Sequence, residues 1–115
     1  QLQLEEVHLH DCHEEAYVLA RGWKALELSL QLPERSPILQ ADGFVLSRVL
    51  PSLMSEMGSP LSLAVFETRL ELSGSNPRAE LSGPLSQQRC RELLEQQGLR
   101  LELRPGWLCL SWTPA

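Results

Sequence analysis

The stretch GLRLELRPGWLCLSW, residues 98–112, decides the fold of the C-terminal part of the chain. Leucines alternate with charged residues up to Arg104, which is the period of a strand with one buried face. Pro105 and Gly106 then supply the pair that a type II turn prefers, because proline fixes one φ angle and glycine accepts a positive one. Alternation resumes at Leu108. The sequence therefore predicts a C-terminal β-hairpin.

A short helix is predicted directly before this hairpin. Ser86 can cap its amino end, and its apolar side includes Cys90 and Leu94. Gly98 is placed to end the helix in a left-handed conformation. Leu99 can then meet Leu94 in a Schellman closure.

The middle of the chain predicts a helix followed by a strand. Residues 44–54 repeat apolar side chains at spacings of three and four, and this helix is expected to bend or restart at Pro51 and to stop at Gly58. Residues 33–43, rich in proline, serine and aspartate, predict a surface loop. Residues 61–72 carry two alternating apolar phases, which we interpret as one long central strand with a bulge or with both faces buried.

The N-terminal part is less clearly patterned. Residues 2–10 alternate and predict a strand with one wet face. An acidic stretch beginning at Asp11 resembles a capping box, so a helix is expected to begin there. Residues 17–32 leave two interpretations open, a helix through at least Leu26 or a strand hairpin that turns at Gly22.

Together these elements predict an α+β fold with a mixed four- to five-stranded sheet covered by two or three helices, and with a C-terminal β-hairpin. The strands are expected near residues 2–10, 61–72, 99–104 and 107–113. The 115 residues suffice for one hydrophobic core but not for two. We expect a single compact domain over residues 1–115, and a fragment of a larger protein because the sequence begins at Gln1.

Composition restricts the classes of partner. The net charge is −5, and the arginines are scattered, whereas nucleic-acid binding needs clustered cations. No apolar run approaches the roughly 20 residues that span a bilayer. The three cysteines are odd in number and widely spaced, which favours reduced thiols. We therefore expect an intracellular domain, in the cytoplasm or nucleus, that binds neither nucleic acid directly nor membrane.

The segment from His8 to His13 has the residue types of a metal site. His8 and His10 would share a strand face about 7 Å apart, and Cys12 or His13 could complete a zinc-like set. Structural zinc sites usually bring ligands from two separated pairs, and the sequence offers no second pair. We expect a solvated strand face that leads into a helix, without a metal or any other cofactor.

Motifs for catalysis are absent from the sequence. It contains no P-loop and no G-x-S-x-G, G-x-G-x-x-G or H-E-x-x-H pattern. A cysteine hydrolase at Cys12 would need an orienting group and an oxyanion hole, for which no signal exists. The chain is therefore predicted not to be an enzyme.

The C-terminal hairpin carries the strongest interaction signal. Trp107 and Trp112 fall on opposite faces of the hairpin, so one ring is exposed unless helices cover both faces. Exposed tryptophan is enriched in binding hot spots. We predict an interface formed by Trp107, Leu108, Leu110 and Trp112.

These observations favour a non-catalytic protein–protein interaction or assembly domain of a larger intracellular protein. Its partner would be another protein subunit or a second copy of the chain. One alternative is a small-ligand or metal-binding domain centred on the segment from His8 to His13. A second alternative is an accessory fragment of an enzyme whose active site lies elsewhere in the parent chain.

Two short segments resemble a known family. Residues 7–11, followed by a predicted helix, and residues 110–113 are similar to parts of the C-terminal dimerisation domains of metallo-β-lactamase-type RNA-processing nucleases. The chain between these segments does not share the likeness, and the catalytic metal motifs of that family are absent. No family is assigned on this basis.

Overall fold

The computed structural model describes residues 2–12, 14, 17, 18, 27–77 and 87–113. The main sheet has five strands, β2 (Leu28–Gln31), β4 (Leu61–Val65), β5 (Arg69–Ser73), β6 (Arg100–Arg104) and β7 (Trp107–Ser111). Their spatial order is β2-β4-β5-β7-β6, and only the β2-β4 pair is parallel. A separate antiparallel ribbon pairs β1 (Glu5–His8) with β3 (Ile38–Ala41). The predicted α+β class, the mixed sheet and the C-terminal hairpin are confirmed.

Two helices are described along their length, the central helix (Gly43–Met57) and the C-terminal helix (Gln87–Glu95). Residues 9–12, 14, 17 and 18 are also helical. None of the described helices is both long enough and apolar enough to cross a bilayer.

The C-terminal half follows its local sequence signals closely. Arg104 pairs with Trp107, which leaves a two-residue turn in which Gly106 has a φ angle of 71°. At the end of the C-terminal helix, Gly98 has a φ angle of 78°, and the amide of Leu99 donates to the carbonyl of Leu94 at 3.0 Å. The predicted hairpin turn and Schellman closure are both present.

The central helix supplies much of the core because one full stripe of its surface is buried. Its buried residues are Leu46, Val49, Leu50, Pro51, Leu53, Met54 and Met57. The helix continues through Pro51 rather than restarting there. The inward residues of the sheet meet this stripe, and Leu61, Leu70, Leu72 and Leu110 are all fully buried.

Three predicted elements are wrong. Residues 61–72 form the hairpin of β4 and β5 and not one strand, because the chain reverses where Phe66 donates its amide to the carbonyl of Arg69. Residues 33–43 are not all surface loop, since they contain β3. The N-terminal strand pairs with β3 in the ribbon and lies outside the main sheet.

The open alternative over residues 17–32 is settled only in part. Residues 17 and 18 are helical, which agrees with the helix interpretation, and β2 is a strand, which agrees with the alternation seen at its leucines. Residues 19–26, which include Gly22, lie outside the described residues.

Candidate functional site

The histidine segment does not come together as a metal site within the described residues. His8 belongs to the exposed part of β1, whereas His10 and Cys12 are already helical. His13 lies outside the described residues. No group of three histidine, cysteine or acidic side chains with metal-binding geometry occurs in the part of the chain that the structure describes.

The predicted hairpin interface is divided between two faces of the sheet. Leu108 and Leu110 are fully buried and Trp112 is 7% exposed, so these three residues belong to the core under the helices. Trp107 is half-buried on the opposite face, where the guanidinium carbon of Arg104 lies 5.2 Å from its ring centroid. A partner could reach only Trp107 without unfolding the hairpin, and its role in an interface stays a prediction.

The loop after β5 lies against the carboxyl end of the central helix. The backbone amide of Asn76 donates to the carbonyl of Met57 at 3.0 Å, and its side-chain amide donates to the carbonyl of Glu56 at 2.9 Å. A Cβ atom on Gly74 would lie 2.2 Å from the carbonyl oxygen of Met57, so this close approach requires glycine. We call this contact between Glu56, Met57, Gly74 and Asn76 the helix–loop seam.

The C-terminal helix carries Cys90, which is buried. Burial raises the pKa of the Cys90 thiol, and the negative charge of Glu56 raises it further. The carboxylate of Glu56 therefore acts electrostatically on a residue of the C-terminal helix.

The amino ends of the two helices differ in electrostatic character. At the central helix, the carboxylate of Asp42 accepts hydrogen bonds from the amides of Phe44 at 3.0 Å and Val45 at 3.2 Å. That end already holds an anion of its own. The described first turn of the C-terminal helix has no acidic residue, and residues 78–86, which precede it and include the predicted cap Ser86, lie outside the described residues.

Cys109 belongs to a different environment, on the face of the sheet that carries Trp107. Burial raises the pKa of its thiol, and the neighbouring carboxylates of Glu71 and Glu102 raise it further. These shifts keep the thiol protonated and unreactive. We therefore assign no chemistry to Cys109.

No family model matches the chain, and no curated protein matches it. Solved structures do match its fold. The cytoplasmic segment of histidine kinase QseC is 16% identical, with a TM-score of 0.73, over 98% of this chain and 80% of its own. The ATP binding domain of PrrB from Mycobacterium tuberculosis is 15% identical, with a TM-score of 0.69, over 98% of each chain. Histidine kinase ThkA in complex with the response regulator TrrA is 17% identical, with a TM-score of 0.64, over 95% of this chain and 40% of its own.

At these identities the likeness shows the fold, and it corrects the functional expectation. The prediction of a non-catalytic assembly domain that is not an enzyme is contradicted, because the matching structures include the catalytic domain of histidine kinase ThkA and the ATP binding domain of PrrB. The prediction was wrong because it relied on the absence of P-loop and G-x-G-x-x-G patterns. Those patterns belong to other folds, so their absence says nothing about nucleotide binding by this one.

Sequence reasoning also missed the residues of the helix–loop seam. In the sequence, the run of Gly74, Ser75 and Asn76 after a strand signals only a turn or loop. Glycine beside a helix end was the available signal, because it permits close approach of two backbones. Nothing in the sequence pattern places Glu56 beside Cys90, 34 positions later in the chain.

Proposed function

We propose that the chain is the nucleotide-binding domain of a signalling protein of the histidine kinase type, and that its ligand is ATP. The observation that carries this proposal is the match over 98% of both chains with a domain described as an ATP binding domain. The architecture supports it as well. Where helices cover a sheet, polar loop residues lie at the ends of the helices and strands, and ligand sites commonly form there.

We place the nucleotide next to the helix–loop seam. The described first turn of the C-terminal helix, from Gln87, contains no carboxylate, and the amino end of a helix favours a phosphate group. Glu56 lies in the helix–loop seam, where its carbonyl accepts from the side chain of Asn76, and its carboxylate acts electrostatically on Cys90 of the C-terminal helix. Magnesium in nucleotide sites is commonly held by one or two carboxylates together with the phosphates of the substrate. The residues present therefore fit a nucleotide accompanied by magnesium.

The roles of the chain's own residues follow from these positions. Glu56 would hold the magnesium ion, which neutralises phosphate charge when it is bound. Asn76 fixes the loop after β5 against the central helix through two hydrogen bonds. Gly74 permits that contact because a side chain would collide with the carbonyl of Met57.

We infer further that the domain works inside the cell as one part of a larger protein and contacts another protein subunit. One matching structure is a cytoplasmic segment, and another holds its histidine kinase in complex with a response regulator. In the latter, the matched region is 40% of the kinase chain, which supports a multidomain arrangement. The proposal includes no direct contact with nucleic acid or membrane.

Glu56→Gln tests the location of the site by isothermal titration with ATP. The variant should weaken binding at least about tenfold when magnesium is present, because the carboxylate that would hold the ion is lost, and should not weaken magnesium-free binding, because a negative charge beside the phosphates is removed. Glu95→Gln is the matched control, since Glu95 is an exposed glutamate on the C-terminal helix. Equal binding of magnesium and ATP by the Glu56→Gln variant and the wild type would place the nucleotide elsewhere.

A further inference from the structure

Asp42 and Gln97 are the buried polar or charged residues in the part of the chain that the structure describes. Asp42 caps the start of the central helix, and Gln97 lies two positions beyond Glu95, where the C-terminal helix ends. Burial of a polar side chain costs free energy unless its polar atoms form hydrogen bonds. Buried polar groups that are fully hydrogen-bonded hold the surrounding elements in one arrangement.

Both polar atoms of the Gln97 side chain form hydrogen bonds. Its oxygen Oε1 accepts from the backbone amide of Asp42 at 2.7 Å. Its nitrogen Nε2 donates to the carbonyl of Leu93 at 2.8 Å. The last carbonyls of a helix lack partners within that helix, so the second bond belongs to the end of the C-terminal helix. Gln97 therefore connects the start of one helix to the end of the other.

Asp42 passes this restraint to the central helix because its other polar atoms are fixed there. Its carbonyl accepts the amide of Leu46 at 2.9 Å, which is the first bond of the helix. Its carboxylate accepts the amides of Phe44 and Val45, and also that of Gln3 at 3.0 Å. A hydrogen bond to the Asp42 amide therefore restrains the position of the whole central helix.

Each of the two connected helices supplies one part of the proposed nucleotide site. The central helix carries Glu56, 14 positions after Asp42, which corresponds to about 21 Å of helix. The C-terminal helix supplies its amino end at Gln87, six positions before Leu93, which corresponds to about 9 Å. Magnesium requires ligands at about 2.1 Å in near-ideal octahedral geometry. An ion held by both Glu56 and a phosphate at the other helix therefore requires one fixed separation of the helices.

We propose that Gln97 is a positioning residue that holds the central and C-terminal helices at the separation needed by the complex of magnesium with ATP. This inference rests on the proposed function. Gln97 contacts neither nucleotide nor metal, and acts through Asp42 and Leu93. A phosphate at the amino end of one helix needs only that helix, whereas the metal needs both. Loss of Gln97 should therefore weaken the magnesium-dependent part of ATP binding and spare the rest.

Gln97→Met tests this by isothermal titration with ATP, with and without magnesium. Methionine is a flexible, unbranched side chain that can fill the space, but it forms neither hydrogen bond. Binding in the presence of magnesium should weaken at least about tenfold, because a displacement of about 1 Å is enough to disturb a precise site. Magnesium-free binding should stay within about twofold of the wild type. Gln96→Met is the matched control, since Gln96 is the exposed neighbour and should match the wild type in both titrations.

Gln97→Glu separates the bond between the helices from the bond at the end of the C-terminal helix. Its carboxylate keeps an acceptor for the Asp42 amide and loses the donor to Leu93. This variant should bind magnesium and ATP within about threefold of the wild type. Circular dichroism first establishes that each variant is folded at the temperature of the titration. Gln97→Asn, whose amide is one carbon shorter, replaces Gln97→Met if the latter does not fold, and the same results are expected of it.

Three results would overturn the positioning role. These are wild-type affinity for magnesium and ATP in Gln97→Met, an equal loss with and without magnesium, and a Gln97→Glu variant as weak as Gln97→Met. Glu56→Gln, titrated in parallel, distinguishes this failure from failure of the proposed function. If Glu56→Gln loses the magnesium-dependent part of binding and Gln97→Met retains it, the positioning role alone is wrong. If the wild type binds no ATP, the proposed function fails and the positioning role fails with it.

Discussion

The side-chain carbonyl of Gln97 accepts a hydrogen bond of 2.7 Å from the backbone amide of Asp42, which lies 55 positions earlier in the chain. Both residues are buried, with Gln97 6% exposed and Asp42 9% exposed. The amide group of the same glutamine donates to the carbonyl of Leu93 at 2.8 Å. One side chain therefore joins the start of the central helix to the end of the C-terminal helix.

Gln97→Ala should destabilise the fold by about 1–3 kcal/mol, because it leaves the buried amide of Asp42 without an acceptor. Gln96→Ala is the matched control, since its neighbour Gln96 is exposed and should change stability by less than about 0.5 kcal/mol. Urea unfolding followed by circular dichroism measures both. Equal stabilities of the two variants would show that the hydrogen bond contributes nothing.

The free energy of unfolding should fall at acidic pH because the carboxylate of Asp42 becomes protonated. The hydrogen bond from the amide of Gln3, together with those from Val45 and Phe44, lowers the pKa of the Asp42 carboxyl below its ordinary value. A carboxyl with a lowered folded-state pKa stabilises the fold above its unfolded-state pKa of about 3.9, and this contribution is lost as the pH falls through the folded-state value. The free energy of unfolding of the Asp42→Asn variant should therefore vary less with pH below about 4 than that of the wild type. Parallel pH profiles for the two proteins would contradict this assignment.

The two tryptophans of the hairpin should respond differently to truncation. Trp112→Ala removes a ring that is 7% exposed and should cost about 3–5 kcal/mol of stability. Trp107→Ala removes a half-buried ring whose described partner is Arg104, and should cost about 1 kcal/mol. Thermal unfolding in a calorimeter measures the loss of stability in each variant. A larger loss for Trp107→Ala than for Trp112→Ala would mean that Trp107, and not Trp112, lies on the buried face of the hairpin.

The reactivity of Cys90 should report on Glu56. Because the thiolate is the reactive form, the raised pKa of Cys90 predicts slow alkylation by iodoacetamide in the folded chain. Glu56→Gln removes the negative charge that contributes to this shift, so the thiol should react faster in the variant. Mass spectrometry of timed samples measures the rate, and Cys109 serves as the internal control because the carboxylates that raise its pKa are those of Glu71 and Glu102. An unchanged alkylation rate at Cys90 would show that the Glu56 carboxylate does not influence the thiol.

The sequence was most informative where a few neighbouring residues determine the backbone. Gly98 ends a helix and Pro105-Gly106 turns a hairpin through local conformational preferences, so both features could be predicted without knowledge of the fold. The strand pair of β4 and β5 was missed because its turn at Phe66 contains neither glycine nor proline. The change of apolar phase at that point was the signal of reversal, but a bulged strand produces the same pattern.

The candidate site could not be predicted because it depends on contacts between distant parts of the chain. Glu56 resembles any other glutamate near the end of an amphipathic helix until packing brings Cys90 beside it. Asp42 was assigned to the surface loop of residues 33–43, whereas its carboxylate caps the central helix and so removes that helix end as a phosphate site. Only the fold distinguishes the two helix ends.

The most direct test of nucleotide binding is a calorimetric titration of the wild-type chain with ATP and magnesium. The proposal predicts one nucleotide per chain with a Kd below about 1 mM, corresponding to at least about 4 kcal/mol of binding free energy. A hundredfold excess of ATP over the Kd should then stabilise the fold by about 2.7 kcal/mol in thermal unfolding. The absence of both binding heat and a Tm increase at millimolar ATP, in a chain shown to be folded by circular dichroism, would contradict the proposed function.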